Sequence, residues 1–262
     1  MSEFYVDERQ RAKRRRVLKF KIYGAIAVFF ILLASVFYLI VYSPLFQIKN
    51  ILMLTTSDVV NLNDLKDFFT NQSKISSFLG ADNILIWKGD ELNRFLKNQP
   101  RLLKLTIEKK YFKREIVLTA KEREKFGIWC QLSGDCWWFD KEGIIFDKAP
   151  QVEGEIIYKV KDFSERKLDI NSRAIDEMLF NNLFKIFEVL DKSGLGIKTL
   201  RLNEMNLEEV ISESPLAPKI YFSLRTNPFF GLSVLQSLKN FGLGKIEYID
   251  LRVENRGYYK LK

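Results

Sequence analysis

Between Ile22 and Tyr42 twenty-one consecutive positions carry no charge, and the basic string KRRRVLKFK ends immediately before them. At about 1.5 Å of rise per residue a helix of that length covers roughly 31 Å, close to the ~30 Å of a bilayer's hydrocarbon core. The run therefore predicts one membrane-spanning helix over residues 22–43. A cleaved signal peptide would have an apolar core of only about 7–15 residues and a small-x-small cleavage site. IVYSPLFQI, at the end of the run, offers no such site.

Beyond Ser43-Pro44 the apolar spacing shortens to that of alternating strands and amphipathic helices. FQIKNILML reads as a first strand. A helix follows, with Asn61 as cap, Asp64 at the third helical position and Val60 placed to staple against Leu65; Leu62, Leu65, Phe68 and Phe69 form its stripe. Residues 71–82 read as a polar connection, and a second helix over Asp90 to Asn98 buries Leu92, Phe95 and Leu96 ahead of Pro100. Two alternating segments close the module. Leu103, Leu105 and Ile107 oppose Lys104, Thr106 and Glu108 in the first, and Ile116, Leu118 and Ala120 share a face in the second. YFKR between them is short enough for a hairpin. Residues 45–123 thus read as a β-α-α-β-β unit with helices on one sheet face.

Residues 124–262 read as a second, mixed and mostly antiparallel β domain with two helices, so the fold class is α+β. FGIWCQL, CWWF and GIIFD are short strands around turns at Ser133-Gly134 and Lys141-Glu142-Gly143, and EIIYKV is a further strand. A helix from Ser172 to Lys192 carries Ile175, Leu179, Leu183, Ile186, Phe187 and Leu190 and stops at Gly194. IKTLRL, KIYFSLR and KIEYIDLRV read as strands, and FGLSVLQSLKNF as a helix ended by Gly242.

Charge gives the apolar run a direction. The first 21 residues carry eight Lys/Arg against three acids, a net +5 of the chain's +9. The positive-inside bias makes residues 1–21 a cytoplasmic tail and places residues 44–262 outside the cell membrane, a single-pass type II arrangement. Because over half of the excess charge is the topology signal itself, the basic composition does not point to nucleic acid.

Composition limits the chemistry. The chain has no histidine and two cysteines, which removes His-based triads, His-ligated zinc and a closed zinc site. No spacing singles out a catalytic carboxylate pair, so the sequence predicts no enzyme, no cofactor and no small-molecule substrate. Cys130 and Cys136 face one another if Leu132, Ser133 and Gly134 make a three-residue hairpin loop with Gly134 left-handed. Outside the cytoplasm such a pair can be oxidised to a local staple contributing about 2 kcal/mol; two reduced cysteines packed among Trp129, Trp137 and Trp138 are the other reading.

The carboxy-terminal YIDLRVENRGYYKLK places Ile249, Leu251 and Val253 on one face and Tyr248, Asp250 and Arg252 on the other. Asn255-Arg256-Gly257 then turns the chain back through Tyr258 and Tyr259. A last strand at a sheet edge can accept a partner's strand, or it can be an ordinary edge shielded by Lys260 and Lys262.

Several residues, in order, resemble the FtsQ/DivIB family of bacterial divisome proteins: Phe46 and Ile48 after the anchor, the NIL of Asn83 to Leu85, Pro100, the pair Glu122-Arg123, Trp129, and FD at Phe139-Asp140 followed by EGIIF. The glycine usual after the first strand is replaced in LTTSD, and prolines common before the last strand and after Glu-Arg are absent, with Lys113 and Glu124 nearby instead. The resemblance implies a POTRA domain over 45–123 and a non-catalytic scaffold at the division septum. Its expected partners are FtsB/FtsL-type proteins and the septal peptidoglycan synthesis machinery. It further implies Tyr248, Asp250, Arg252, Tyr258 and Tyr259 as docking residues. Glu122 and Arg123, at a strand end by the domain junction, read as structural. Two rival readings are a membrane-anchored, lytic transglycosylase-like cell-wall hydrolase working through one Glu, and a POTRA-containing secretion or assembly factor, which would call for tandem POTRA units or a barrel.

Overall fold

The computed structural model describes residues 3–54 and 60–262, with the side chains of the first helix described from Lys13 onward. LTTSD, the site of the expected but missing glycine, falls largely outside the described residues. The chain is α+β. Helix α1 (Glu3–Tyr42) runs unbroken from the basic segment through the apolar run. Its apolar side chains from Val17 to Tyr42 stand largely exposed, so the stripe-less apolar surface is not a core helix packed within this chain.

Residues 1–95 and 105–120 form a smaller compact unit, and 96–104 with 121–262 a larger one. The smaller unit holds α1, strand β1 (Asn50–Leu54), helices α2 (Leu62–Thr70) and α3 (Lys74–Leu79), and most of helix α4 (Leu92–Lys97) and of strands β2 (Leu102–Lys110) and β3 (Glu115–Glu122). The sheet order is β1-β3-β2, with β1 parallel to β3. As the central strand, β3 buries Val117 as well as Ile116, Leu118 and Ala120. Asn61 caps α2 by accepting from the Asn63 N–H at 2.9 Å, one position earlier than a capping box requires. Leu65, Phe69 and Trp87 are fully buried, with the Phe69 and Trp87 rings 5.0 Å apart.

Helix α3 lies where a polar connection was expected. Ser73 caps it by accepting from the Ser76 N–H at 3.1 Å, and Gly80, at φ +79°, ends it. Six residues are too few to show a helical period, and of its apolar members Ile75 and Phe78 turn outward while Leu79 is half-buried. At the start of β2, Leu102 is buried while Leu103 is exposed, which breaks the expected alternation there.

The larger unit is one nine-stranded sheet. Its strands are β4 (Gly127–Gln131), β5 (Cys136–Phe139), β6 (Ile145–Lys148), β7 (Tyr158–Asp162), β8 (Thr199–Leu202), β9 (Glu209–Glu213), β10 (Lys219–Ser223), β11 (Ile246–Leu251) and β12 (Tyr258–Leu261). Their order is β12-β11-β10-β9-β8-β7-β4-β5-β6. Pairs β4/β7, β7/β8 and β10/β11 are parallel and the other five antiparallel. Helices α5 (Glu177–Ser193) and α6 (Phe230–Phe241) pack on the face carrying Trp129, Val160, Leu200, Ile220 and Ile249.

Helix α5 begins five residues later than its apolar stripe suggests. Asp176 caps it, accepting from the Met178 N–H at 3.0 Å. Residues 171–174 instead run beside β6: Ile145 N–H donates to Ser172 O and Asn171 N–H to Ile145 O, at 2.9 and 2.7 Å. Ile175 is buried without being helical, which is why the stripe overran the helix. Strand β9 had no counterpart in the sequence reading, because Ile211 interrupts its alternation.

The Asp140–Gly143 turn sets this edge. Gly143 sits at φ +78°, and a Cβ there would lie 2.6 Å from the Phe180 ring. Gly154 has a similar φ of +83° with open space around it. Gly143→Ala should cost about 2–4 kcal/mol from left-handed strain plus overpacking, and Gly154→Ala about 1–2 kcal/mol from strain alone. Urea unfolding of both variants of the full chain in detergent checks the difference.

Candidate functional site

The carboxy-terminal strand β12 is one rim of the large sheet, paired on one side with β11 and on the other with no strand among the described residues. In an antiparallel ladder alternate residues bond inward, so half of its N–H and C=O groups point away from the sheet. The opposite rim, β6, differs at its start: residues 171–174 cover Ile145 through the bonds above, together with Ala174 N–H to Gly143 O at 2.9 Å and a bridge between Ile144 and Arg173.

Register assigns the residues near β12 to faces. Tyr248 and Asp250 stand opposite Lys260 and Tyr258, and Ile249 opposite Tyr259. Tyr258 and Lys260 therefore share the helix-free face with Tyr248 and Asp250. Tyr259 lies on the helix side, its ring 6.4 Å from that of Phe241 on α6. Tyr248 makes an edge-to-face pair with Tyr221 at 5.8 Å. All four residues of β12 are exposed.

Asp250 and Arg252 are engaged within the chain. Arg252 Nη2 and Nε donate to the two Asp250 oxygens at 2.6 and 2.9 Å, and Nη1 donates to Glu209 Oε2 at 2.9 Å. The guanidinium also lies 5.2 Å from the Tyr221 ring centre. Hydrogen bonds from Arg252 hold the Asp250 carboxyl below its usual range despite partial burial, and the bonds to Asp250 and Glu209 push Arg252 up. The strand ends at Leu251, and Val253, expected on its buried face, is exposed. On β12, Lys260 Nζ pairs with Glu247 at 2.8 Å, which raises its pKa. Glu209 and Tyr221 escaped the sequence reading because they join this cluster through β9 and a parallel β10/β11 pairing that no local pattern reveals.

Cys130 and Cys136 stand opposite each other on β4 and β5 and form a disulfide. Gly134, at φ +92°, turns the loop between them. Beside this hairpin lies a groove of about 780 Å³ on the helix-free side, whose lining includes Lys159, Lys161, Asp162, Arg201 and Glu213. Lys161 and Arg201 reach Glu213 at 2.7 and 3.3 Å. Burial pushes Glu213 up, but hydrogen bonds and charge from Lys161 and Arg201 leave it lowered. Asp162 behaves alike. Burial raises it, and donors from Ser164 and Trp129 with the Arg166 charge outweigh that and lower it.

Glu122 and Arg123 part company. Arg123 Nη1 meets Asp140 Oδ2 at 2.5 Å, with side chains only 13% and 8% exposed, while Nε donates to Pro100 O at 3.0 Å. The other Asp140 oxygen accepts the N–H groups of Glu142 and Ile144, both at 2.9 Å. One carboxylate thus shapes the turn and holds the arginine, all within the larger unit. Glu122 Oε1 is buried with no hydrogen-bond partner among the described residues.

Removing one partner of a buried pair leaves the other charge stranded. Arg123→Met and Asp140→Asn should each cost about 2–4 kcal/mol, and the double variant much less than their sum. Urea unfolding of the four proteins measures that coupling; simple additivity would deny it. Comparison with known protein families and with curated proteins finds no match to this chain.

Proposed function

We propose that the chain is a non-catalytic cell-division scaffold of the FtsQ/DivIB kind, held in the cell membrane by α1 and docking an FtsB/FtsL-type partner by strand addition at β12. The observation that carries this reading is the unequal treatment of the two rims. The chain covers the start of β6 with its own residues, whereas the outer side of β12, with Tyr258 and Tyr259, has no strand partner among the described residues. Main-chain bonds along such a rim supply affinity, and side chains on alternating faces supply selectivity.

The resemblance supports the finer assignments. The β1-α2-α3-α4-β2-β3 order accommodates a POTRA module with one additional short helix. The exposed apolar length of α1 and its basic flank support an anchor with residues 1–21 in the cytoplasm and residues 44–262 outside, at the septum, linking the partners to peptidoglycan synthesis. Docking selectivity falls chiefly to Tyr248, Tyr258 and Tyr259, since Asp250 and Arg252 already satisfy one another and Glu209. Glu122 and Arg123 serve the fold.

A hydrolase would need a carboxylic acid kept protonated by an apolar setting. Asp162 and Glu213, which line the groove, are instead held ionised and lend that rival no support.

Deleting residues 258–262 removes a wholly exposed strand while keeping β11 and the buried Ile246, Ile249 and Leu251. The full chain so shortened should keep its thermal midpoint within a few degrees and lose co-purification with the FtsB/FtsL-type pair. Undiminished co-purification would end the rim mechanism.

A further inference from the structure

The short helix α3, held to α2 by the Ser77 Oγ bond to Thr70 O at 3.0 Å and by the buried Ser76, also touches the anchor. Its Phe78 ring stacks on Phe37 of α1, with centroids 5.8 Å apart and planes at 28°. A few residues on, Asn83 Nδ2 donates to Ile40 O at 3.1 Å, while Asn83 Oδ1 accepts the Leu85 N–H at 3.0 Å. Asn83 is buried, so this amide joins the end of the apolar helix to the rest of the smaller unit at a fixed place. The chain leaving the helix is pinned as well: Ile48 N–H donates to Asp82 O, Ile84 N–H to Phe46 O, and Arg114 Nη1 to Pro44 O, at 2.7, 2.8 and 3.1 Å. These bonds make the junction between α1 and the rest of the smaller unit a braced one.

Depth follows from the contact. Phe37 precedes Tyr42 by five residues, about 7.5 Å along a helix axis. If the uncharged run fills the hydrocarbon, Phe37 lies about 7.5 Å inside its outer boundary, and a ring stacked on it lies in the outer acyl region, the depth that the apolar face of an interfacial helix occupies. The outward side of α3 suits that location. Ile75 and Phe78 are 73% and 58% exposed, three positions apart, and Leu79 adjoins them. Leu45, also exposed, and the rings of Tyr38 and Tyr42, whose centroids are 5.1 Å apart, stand at the same end of α1. Apolar side chains grouped on one short element would be a liability in water and are stabilising in an interface, where aromatic rings concentrate.

We infer that α3 is an interfacial helix: Ile75, Phe78 and Leu79 insert into the outer leaflet of the bilayer beside α1 and seat the smaller unit on the membrane. The occupant of this surface is lipid, because the surface is continuous with a helix whose own side chains face lipid. This rests on the reading of α1 as a membrane anchor. Seating at two points, a span and an interfacial helix, restricts the tilt of the unit on the membrane in a way that a span with a loose linker does not.

Nitroxide labels on single cysteines in the full chain, reconstituted in phosphatidylcholine/phosphatidylglycerol nanodiscs, test it through collision with oxygen and with a water-soluble nickel chelate. The native Cys130 and Cys136 are joined in a disulfide and do not take the label. Four sites suffice: Phe78→Cys and Ile75→Cys on α3, Phe30→Cys within the run, and Leu216→Cys, exposed in the larger unit. Ile75 is the safer of the two α3 sites because its side chain is the more exposed. The inference predicts an oxygen-to-nickel accessibility ratio at Ile75 and Phe78 several-fold above that at Leu216 and approaching that at Phe30. A lipid-like Phe30 with water-like Ile75 and Phe78 would overturn the inference and leave the anchor standing. A water-like Phe30 would overturn the anchor reading and the inference with it.

Discussion

A strand at the rim of an open sheet leaves N–H and C=O groups without ladder partners, and the larger unit treats its two rims in opposite ways. At the start of β6, residues 171–174 take up the outward N–H and C=O of Ile145 and the Gly143 carbonyl before it. At β12 none of the described residues does so. A fold that needed only to protect its edges would blunt both. The proposed docking mechanism depends on that asymmetry, and much of the surrounding structure maintains it. The Asp140 carboxylate holds the turn whose Gly143 carbonyl accepts from Ala174 N–H, while α6 supports β12 from the helix side through Phe241 and Tyr259.

Charge is placed to support this frame. Arg252 is tied to Asp250 and Glu209, so the strands β9 and β11 are bridged across β10 by one guanidinium lying against Tyr221. Such a side chain positions the sheet next to the rim, and its donors are already spent. What β12 itself offers is aromatic surface and main chain. Lys260 is held by Glu247, which fixes one of the two lysines that would otherwise shield the rim.

The features that were legible in the sequence are those written in local periodicity. The apolar length of α1, the cap and stripe of α2, and the Gly242 stop of α6 each follow from a few adjacent residues. Long-range competition hid the rest. Residues 172–176 carry a helical stripe, yet ladder bonds to β6 and the Asp176 cap win, and the helix starts at Glu177. Helix α3 was hidden for the reverse reason: its Ile75 and Phe78 face outward, so it lacks the core-facing pattern by which helices are recognised. At the candidate site, Tyr258 and Tyr259 could be named from the turn before them. Glu209 and Tyr221 could not, because parallel neighbours are joined by distant crossovers, and sequence carries no local record of which strands those crossovers bring together.

In the proposed scaffold, the anchor and α3 set the smaller unit at the membrane while the free rim of the larger unit waits for a strand. The most direct measurement is backbone hydrogen exchange across residues 258–261 in the full chain, alone and with the FtsB/FtsL-type pair. The account predicts rapid exchange in the free protein and strong protection in the complex, with the β6 segment unchanged. Exchange at β12 that is equally fast in both states, under conditions where the complex is formed, would contradict it.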